Sequence, residues 1–307
     1  MRILLTGATG VIGRRVIPLL LAEGHAVTAL AHDRPDALRK LGVNVIAGDL
    51  FDIGSLKRAA TGCDAIVNLA THMPSPTWKM LFRSAWRLND RIRRDGSANV
   101  VRAAVDCDVD RVVQESFALT YPDRGDRWID ERTPLEPADY NSTVADAERT
   151  VEHFTRSGGI GVALRFAAFY GPDAMQLEDY IRTLRLGWAA LPGAPERYIS
   201  SVSHDDAAAA VVAALALPAG VYNVVDDEPV TRSTYFGSLA ECIGVKPPRF
   251  MPSWATSLFG SVGETMARSL RMSNRKLREA SDWRPLLPSV RDGWPITLAQ
   301  MTPDARR

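Results

Sequence analysis

Residues 2–13 read RILLTGATGVIG, and residues with helical spacing follow them as far as Ala22. A strand, a turn with glycines at positions 7, 10 and 13, and a helix form an arrangement that binds a dinucleotide. Gly7 allows a tight turn, Gly10 lets the backbone approach a pyrophosphate, and Gly13 lets the helix pack closely on the strand. The helix N-terminus offers N–H groups and a positive dipole end to that pyrophosphate. The predicted binding segment also contains Thr9, Val11 and Ile12.

Outward from this segment, short apolar runs alternate with helical segments. The apolar runs lie at residues 3–5, 26–31, 43–46, 65–69 and 111–114. This alternation predicts right-handed βαβ units, and therefore an α/β fold with a doubly wound parallel Rossmann sheet covered by helices on both faces. The pattern loosens after Pro172 and returns at residues 201–227. We therefore predict a dinucleotide-binding Rossmann domain over residues 1–172, completed by 201–227, and a smaller C-terminal substrate-binding region formed by 173–200 and 228–307.

The composition excludes several classes of protein. The 307 residues are 46% hydrophobic and 24% charged, which is typical of a globular protein. Lys and Arg number 37 against 36 Asp and Glu, so there is no overall attraction to nucleic acid or to an anionic membrane. The three cysteines are scattered without metal-ligand spacing, and the longest later apolar run, residues 207–218, is shorter than the roughly 20 residues that span a bilayer. We expect a cytoplasmic protein that acts on a small-molecule substrate and binds no metal, nucleic acid or membrane.

Several segments together resemble the extended short-chain dehydrogenase/reductase family, the NAD(P)-dependent epimerases, dehydratases and reductases. The segments are TGATGVIG at 6–13, GDL at 48–50, NLA at 68–70, LR at 164–165, YGP at 170–172, SHDDA at 203–207 and VYNV at 221–224. The resemblance covers nearly the whole chain. It implies an NAD(P)-dependent oxidoreductase or epimerase-like protein, and relatives often form homodimers.

The resemblance also assigns cofactor contacts beyond the glycine turn. Asp49 and Leu50 would flank the adenine, and Ala70 and Thr71 would line the nicotinamide ribose. NAD-preferring relatives place an acid at the end of the second strand to bind the ribose 2′-hydroxyl, but this chain has Ala31 there.

Two basic side chains favour NADP as the cofactor. His32 follows Ala31, and Arg14 follows the third glycine, so both are placed as partners of a 2′-phosphate. NAD remains the alternative, because Asp33 comes next and because Arg14 and His32 could simply be solvated.

The family's catalytic residues are a Ser or Thr, a Tyr and a Lys, with the Tyr and Lys four residues apart on one helix face. Tyr140 matches the tyrosine, but the lysine position holds Val144. The catalytic hydroxyl position holds Phe117. Ser116 is one residue away and points to the other face of the strand unless a β-bulge rotates it back. Glu115 is an unusual carboxylate at the end of a central strand, and we expect Ser116 or Glu115 to orient the substrate.

The altered site leaves several functions open. An unassisted tyrosine titrates near pH 10, so Tyr140 would donate a proton in a reduction more readily than it would accept one. The leading hypothesis is therefore reduction of a small, hydrophobic carbonyl substrate. The alternatives are a non-catalytic dinucleotide-binding sensor or scaffold and a non-redox enzyme on the same fold. His72, after the fourth strand, is either a substitute acid/base or a loop histidine with a structural role.

An insertion over residues 74–95 is rich in arginine. Arg83, Arg87 and Arg91 recur at every fourth position, which predicts one helix face. That face could close over an acidic substrate, or it could be solvated or contact a second subunit. Arg93 stands where relatives often carry Asn. In the C-terminal half, large apolar side chains line a hydrophobic pocket or belong to the core: Trp188, Tyr198, Met251 and Trp254.

Overall fold

The computed structural model describes residues 1–32, 35–75 and 77–301. Asp33, one reason why NAD remains the alternative cofactor, lies outside the described residues. None of the helices in these ranges is both long enough and apolar enough to cross a membrane.

The strands alternate with helices along the chain, as the sequence predicts. In the described residues the strands are β1 (Arg2–Thr6), β2 (Ala26–Ala31), β3 (Asn44–Ala47), β4 (Ala65–Asn68), β5 (Arg111–Phe117), β6 (Trp128–Ile129), β7 (Ile160–Phe166), β8 (Ala168–Tyr170), β9 (Tyr198–Ile199), β10 (Ser201–Ser203), β11 (Gly220–Val224), β12 (Val230–Thr231) and β13 (Arg271–Met272). The helices are α1 (Val11–Ala22), α2 (Pro35–Arg39), α3 (Ile53–Ala60), α4 (Arg87–Arg91), α5 (Ser97–Asp106), α6 (Thr143–Arg156), α7 (Leu177–Arg185), α8 (His204–Ala213), α9 (Arg232–Cys242), α10 (Gly260–Met266), α11 (Arg275–Ala280) and α12 (Val290–Gln300).

Seven strands form one parallel sheet in the order β11-β7-β5-β4-β1-β2-β3. Apolar side chains on one face pack against α1 and α8, and those on the other face pack against α3, α5 and α6. Burial of both faces explains why the strands read as continuous apolar runs. The predicted doubly wound fold is confirmed.

A second apolar cluster forms outside the sheet. It is built around Tyr170, Tyr235, Phe236 and Trp294, whose rings pack with centroid distances of 5.2–5.3 Å between neighbours. Helices α7, α9 and α12 supply most of its residues. The assignment of substrate binding to residues 173–200 and 228–307 stays a prediction.

The glycine turn sets a packing limit that a substitution can measure. Gly7 has φ +70°, and a Cβ there would lie 2.5 Å from the backbone carbonyl of Leu69. Gly24 has φ +77°, but a Cβ there would meet nothing within 4 Å. We expect Gly24→Ala to cost about 1 kcal/mol of unfolding free energy from backbone strain alone, and Gly7→Ala to cost about 3 kcal/mol or more. Urea unfolding of both variants tests this, and equal losses would contradict it.

Candidate functional site

The glycine turn leaves its backbone open to solvent at the start of α1. The N–H of Gly10 donates to the carbonyl of Gly7 at 3.0 Å, which closes the turn. Gly13 packs so closely that a Cβ there would lie 2.3 Å from the Gly7 oxygen. Thr9 and Gly10 are exposed, and α1 has neither a side-chain cap nor an acidic residue in its first turn. Its N-terminal N–H groups are therefore available to an anion, and the turn fits a pyrophosphate.

The other residues predicted to bind the cofactor lie on the loops at the same sheet edge. Because β1 to β4 are parallel, the segments that follow them meet at their carboxyl ends. Ala70 is buried and Thr71 is exposed after β4, while Asp49 and Leu50 are half-buried after β3. The Asp49 carboxylate accepts the N–H of Phe51 at 2.9 Å, which holds that loop. Val11 and Ile12 are half-buried, and Ile12 packs against the core.

His32 and Arg14, the two side chains predicted to bind a 2′-phosphate, have different surroundings. His32 is exposed in the turn after β2. The guanidinium of Arg14 is half-exposed and lies 4.0 Å from the carboxylate of Asp173. Arg15, which the sequence did not single out, lies 2.8 Å from both Asp173 and Asp205. Its hydrogen bond lowers the pKa of Asp173.

Ser116 points away from the sheet edge toward α6. Strand β5 pairs with β7 without interruption through Phe117, so no β-bulge rotates the serine back. Its hydroxyl donates to Glu148 at 2.5 Å. Arg165 donates twice to the same carboxylate, each time at 2.7 Å. Ser116 is therefore part of a buried, well-paired network under the sheet, and this geometry gives it no free hydroxyl with which to orient a substrate.

Glu115 forms a buried ion pair that the sequence did not predict. Its Oε1 lies 3.3 Å from Nη2 of Arg93, and both side chains are buried. The Arg93 guanidinium also lies 5.7 Å from the ring centre of Phe117. Two signals in the sequence pointed to these residues: Glu115 is a carboxylate on a central strand, and Arg93 stands where relatives often carry Asn. Neither signal showed that the two side chains meet.

A chain of hydrogen bonds fixes the position of Glu115. The Thr6 hydroxyl donates to Asn68 at 2.5 Å, and the Asn68 amide donates to Gln114 at 2.8 Å. The Gln114 amide then donates to the backbone carbonyl of Glu115 at 2.9 Å. These bonds join the carboxyl ends of β1 and β4 to the middle of β5, so the backbone of Glu115 is tied to the strand that ends in the glycine turn.

Tyr140 lies just before α6 and not on it. The sequence predicted Tyr140 and Val144 on one helix, but Tyr140 belongs to the 3-10 turn Asp139–Asn141, and α6 begins at Thr143. The Asn141 side chain accepts the N–H of Ala138 at 2.8 Å and donates to the carbonyl of Leu119 at 3.2 Å, which stabilises the turn. Val144 is fully buried in the first turn of α6.

The Tyr140 hydroxyl is covered by α10. It lies 3.0 Å from Oγ1 of Thr265, and the tyrosine ring packs 4.8 Å from the ring of Trp86. Burial raises the pKa of Tyr140 above that of an exposed tyrosine. The hydrogen bond with Thr265 acts against this rise, and so do the positive charges of Arg268 and Arg93. Tyr140 is therefore protonated at neutral pH.

The loop after β4 and the arginine-rich insertion lie beside this tyrosine. His72 is exposed, and its backbone N–H donates to Asn89 at 2.9 Å. Arg83 belongs to the 3-10 turn Arg83–Trp86, whereas Arg87 and Arg91 belong to α4, so the prediction of one helix face for all three was wrong. Trp86, the last residue of the 3-10 turn, is buried against Tyr140. An open cavity of about 390 Å³ is lined by Arg83, Ser84, Arg87 and Asp90.

Large apolar side chains are exposed around Tyr140 and its cover. Trp78 and Phe82 are 58% and 55% exposed in the insertion, and Trp254 and Leu258 are 71% and 74% exposed in the 3-10 segment before α10. Trp188 is also exposed. Trp188 and Trp254 are therefore not core residues. No group of three His, Cys, Asp or Glu side chains that could hold a metal ion is found in the described parts of the chain.

Comparison with known proteins gives one matching family model and several relatives. The model described as the NAD dependent epimerase/dehydratase family matches residues 3–224. The chain is 32% identical over 314 residues to the 3-diazoavenalumate denitrifying reductase of a Streptomyces species, covering 95% of this chain and 99% of that protein. It is 28% identical over 289 residues to the 2-alkyl-3-oxoalkanoate reductase of Shewanella oneidensis, covering 86% and 72%.

A third relative and a solved structure extend the comparison. The 4-hydroxy-2-methyl-3-oxo-4-farnesyl-3,4-dihydroquinoline-1-oxide ketoreductase of Stigmatella aurantiaca is 30% identical over 284 residues, covering 88% of this chain and 82% of that protein. The crystal structure of the human epimerase family protein SDR39U1 with NADPH superposes with a TM-score of 0.80 at 18% identity, covering 98% of this chain and 100% of that one. The structural likeness supports the fold.

The buried network beside β5 predicts that substitution of Glu148 lowers the unfolding free energy more than substitution of Glu152, one turn later on α6. Glu148→Leu leaves Arg165 buried without its carboxylate, which we expect to cost about 3 kcal/mol of unfolding free energy. Glu152→Leu, one turn later on α6, removes only an exposed pair with Arg156 at 3.6 Å and should cost less than about 0.5 kcal/mol. Urea unfolding measures both variants. A loss in Glu148→Leu no larger than in the control would contradict the assignment.

Proposed function

Because the chain belongs to the NAD dependent epimerase/dehydratase family, we propose that it is an NADPH-dependent reductase of a small hydrophobic carbonyl compound, with Tyr140 as the proton donor. The observation that carries the proposal is a buried, protonated tyrosine beside the sheet edge, with Val144 in place of a lysine. NADPH, when bound, supplies the hydride. The chain's residues bind it, orient the carbonyl compound and provide the proton.

The glycine turn would hold the pyrophosphate with backbone N–H groups. The N–H of Gly10 already donates to Gly7, so the donors would be the N–H groups in the first turn of α1, for which no capping side chain or acidic residue competes. Ala70 and Thr71 would lie against the nicotinamide ribose, and Asp49 and Leu50 against the adenine. The residues around the turn therefore fit a dinucleotide.

The direction of the reaction follows from the state of Tyr140. A hydroxyl whose pKa lies above its usual range is protonated throughout the neutral range and can give its proton to an oxygen that gains negative charge. The same hydroxyl is a poor base for oxidation of an alcohol. Loss of the lysine strengthens this bias, because a lysine would lower the tyrosine pKa.

A hydrophobic substrate is supported by the surface near Tyr140 and by the names of the relatives. Trp78, Phe82, Trp254 and Leu258 expose apolar area on the segments that cover the tyrosine. Two relatives are named for 3-oxo compounds, with an alkyl and a farnesyl substituent. The third is named for a diazo compound, so reduction of a diazo group is the second candidate activity. We assign the substrate contacts to residues 173–200 and 228–307 together with the insertion.

A homodimer stays a prediction.

Replacing the tyrosine tests the proposal directly. Tyr140→Phe should lower kcat for NADPH-dependent reduction about 100-fold or more, since the proton donor is lost while the ring is kept. Affinity for NADPH should stay unchanged. The probes are ethyl 2-methyl-3-oxobutanoate, 3-oxodecanoate and an aryl diazo acid, with consumption of NADPH as the readout. Tyr222→Phe, which loses only a hydrogen bond to the Pro218 carbonyl, is the control.

Two outcomes would overturn the proposed role. Full turnover by Tyr140→Phe would exclude the tyrosine as proton donor. Binding of NADPH without its consumption on any probe would instead favour the non-catalytic dinucleotide-binding protein.

The choice between NADP and NAD rests on Arg14 and His32. Arg14→Ser should weaken NADPH binding about tenfold and leave NADH binding nearly unchanged, since the lost contact is with the 2′-phosphate. Arg58→Ser removes an exposed arginine of α3 and is the control. Isothermal titration with NADPH, NADP⁺, NADH and NAD⁺ measures each affinity. Equal losses for NADPH and NADH would contradict phosphate recognition by Arg14.

A further inference from the structure

We propose that Arg93 supplies the positive charge of this active site that Val144 cannot supply, and that Arg93 and Glu115 together bind the oxygen atom that is reduced from carbonyl to hydroxyl. The inference rests on the proposed function and adds a catalytic residue to it.

Arg93 differs from the arginines around it. It lies in a π-helical turn, Ile92–Gly96, between α4 and α5. Such turns widen the helix locally and are frequent at functional sites. The flanking Arg91 and Arg94 are exposed, and each lies near an acid, at 3.8 Å from Asp95 and 3.3 Å from Asp146. Arg93 is only 2% exposed and lies at the end of β5.

The contact between Arg93 and Glu115 is weak for a buried ion pair. It consists of one 3.3 Å approach, and Nε and Nη1 of Arg93 and Oε2 of Glu115 are buried without a hydrogen-bond partner in the described residues. The same chain contains a well-made buried pair, in which Arg165 donates twice to Glu148 at 2.7 Å. Burying a charge is costly unless its hydrogen bonds are made. The contrast indicates that a ligand completes the Arg93–Glu115 pair.

The unpaired atoms define what that ligand must offer. A pair with an unpaired N–H donor and an unpaired carboxylate oxygen matches an oxygen that accepts a hydrogen bond as a carbonyl and also donates one as a hydroxyl. Carbonyl reduction makes this change. As the carbonyl carbon gains the hydride, the π electron pair of the C=O bond moves to oxygen, and Arg93 stabilises the charge. The Tyr140 O–H bond breaks, its proton joins that oxygen, and water returns a proton to the tyrosine.

The charges that face Tyr140 support this assignment. Burial raises its pKa, whereas Thr265 and Asn141, through hydrogen bonds, and Arg268 and Arg93, through charge, act to lower it. Arg268 already donates to the backbone carbonyls of Tyr121 at 2.8 Å and Glu136 at 2.7 Å.

Arg93 retains two unpaired N–H-bearing nitrogens. Of the two described arginines whose charge acts on Tyr140, Arg268 has a partner at Nη1 and at Nη2, whereas Arg93 has none at Nε or Nη1.

The first test measures NADPH-dependent reduction of ethyl 2-methyl-3-oxobutanoate by the full chain. Arg93→Met should lower kcat about 100-fold, as loss of a preorganised donor does, and leave the Kd for NADPH within about threefold. The alkaline limb of its pH profile should move to higher pH, because removing a positive charge raises the pKa of Tyr140 further. Arg93→Lys keeps the charge and should retain about a tenth of the activity or more. Arg94→Met is the control and should behave as the wild type.

Either of two results would overturn the inference while leaving the proposed function in place. One is an unchanged kcat in Arg93→Met. The other is a loss of kcat in Arg93→Met with an unmoved pH profile and no rescue by Arg93→Lys, which is the behaviour of a merely structural residue.

A second measurement does not depend on turnover or on the folding of Arg93→Met. In the wild type, ¹⁵N-labelled arginine gives an Arg93 Nε–H resonance that Arg93→Lys identifies. We expect this resonance to shift when NADP⁺ and then ethyl 3-hydroxy-2-methylbutanoate are added, while that of Arg165 stays in place. NADP⁺ binding with both resonances unmoved would refute the role of Arg93 alone. Absence of NADP⁺ binding would refute the proposed function, and the role of Arg93 with it.

Discussion

The close approach of Gly7 to the backbone of Leu69 is the constraint on which the site depends. The left-handed conformation of Gly7 ends β1 in a turn that touches the end of β4, with no room for a side chain between them. This contact directs the N-terminus of α1 to the sheet edge where β4 also ends. The glycine turn and the residues after β4 thereby lie on one side of the molecule, as a dinucleotide would need in order to reach both.

Buried amide side chains connect this edge of the sheet to Glu115. Thr6, Asn68 and Gln114 are hydrogen-bonded in sequence from β1 to β5, ending on the backbone of Glu115. Buried amides of this kind hold a fixed geometry, because each unmade hydrogen bond would cost free energy. The backbone of Glu115, whose carboxylate lies beside Arg93, is therefore held by hydrogen bonds that lead back to the strand ending in the glycine turn.

The sheet and the turn could be predicted from the sequence because each depends on local signals. Apolar runs identified the parallel strands, and three glycines identified the turn, since only glycine fits at Gly7 and Gly13. The alternation of side chains along β5 also indicated that Ser116 would point away, and its bond to Glu148 agrees with that alternation.

Other features depend on contacts between distant segments, and the sequence analysis either did not predict them or predicted them wrongly. A pattern of four-residue spacing suggested a single helix through Tyr140, but the Asn141 side chain stabilises a 3-10 turn there. The pairing of Arg93 with Glu115 joins a π-helical turn to a strand, and residue spacing carries no signal for it. The cover over Tyr140 comes from α10, more than a hundred residues later in the chain.

The central claim is that a dinucleotide site and a protonated tyrosine act together to reduce a carbonyl. The most direct measurement uses NADPH deuterated at the transferable position of its nicotinamide, with ethyl 2-methyl-3-oxobutanoate as the acceptor and mass spectrometry of the product. The account predicts an alcohol that carries a single deuterium atom on the former carbonyl carbon. A protein that binds the deuterated NADPH while neither this ester nor 3-oxodecanoate acquires deuterium would contradict it.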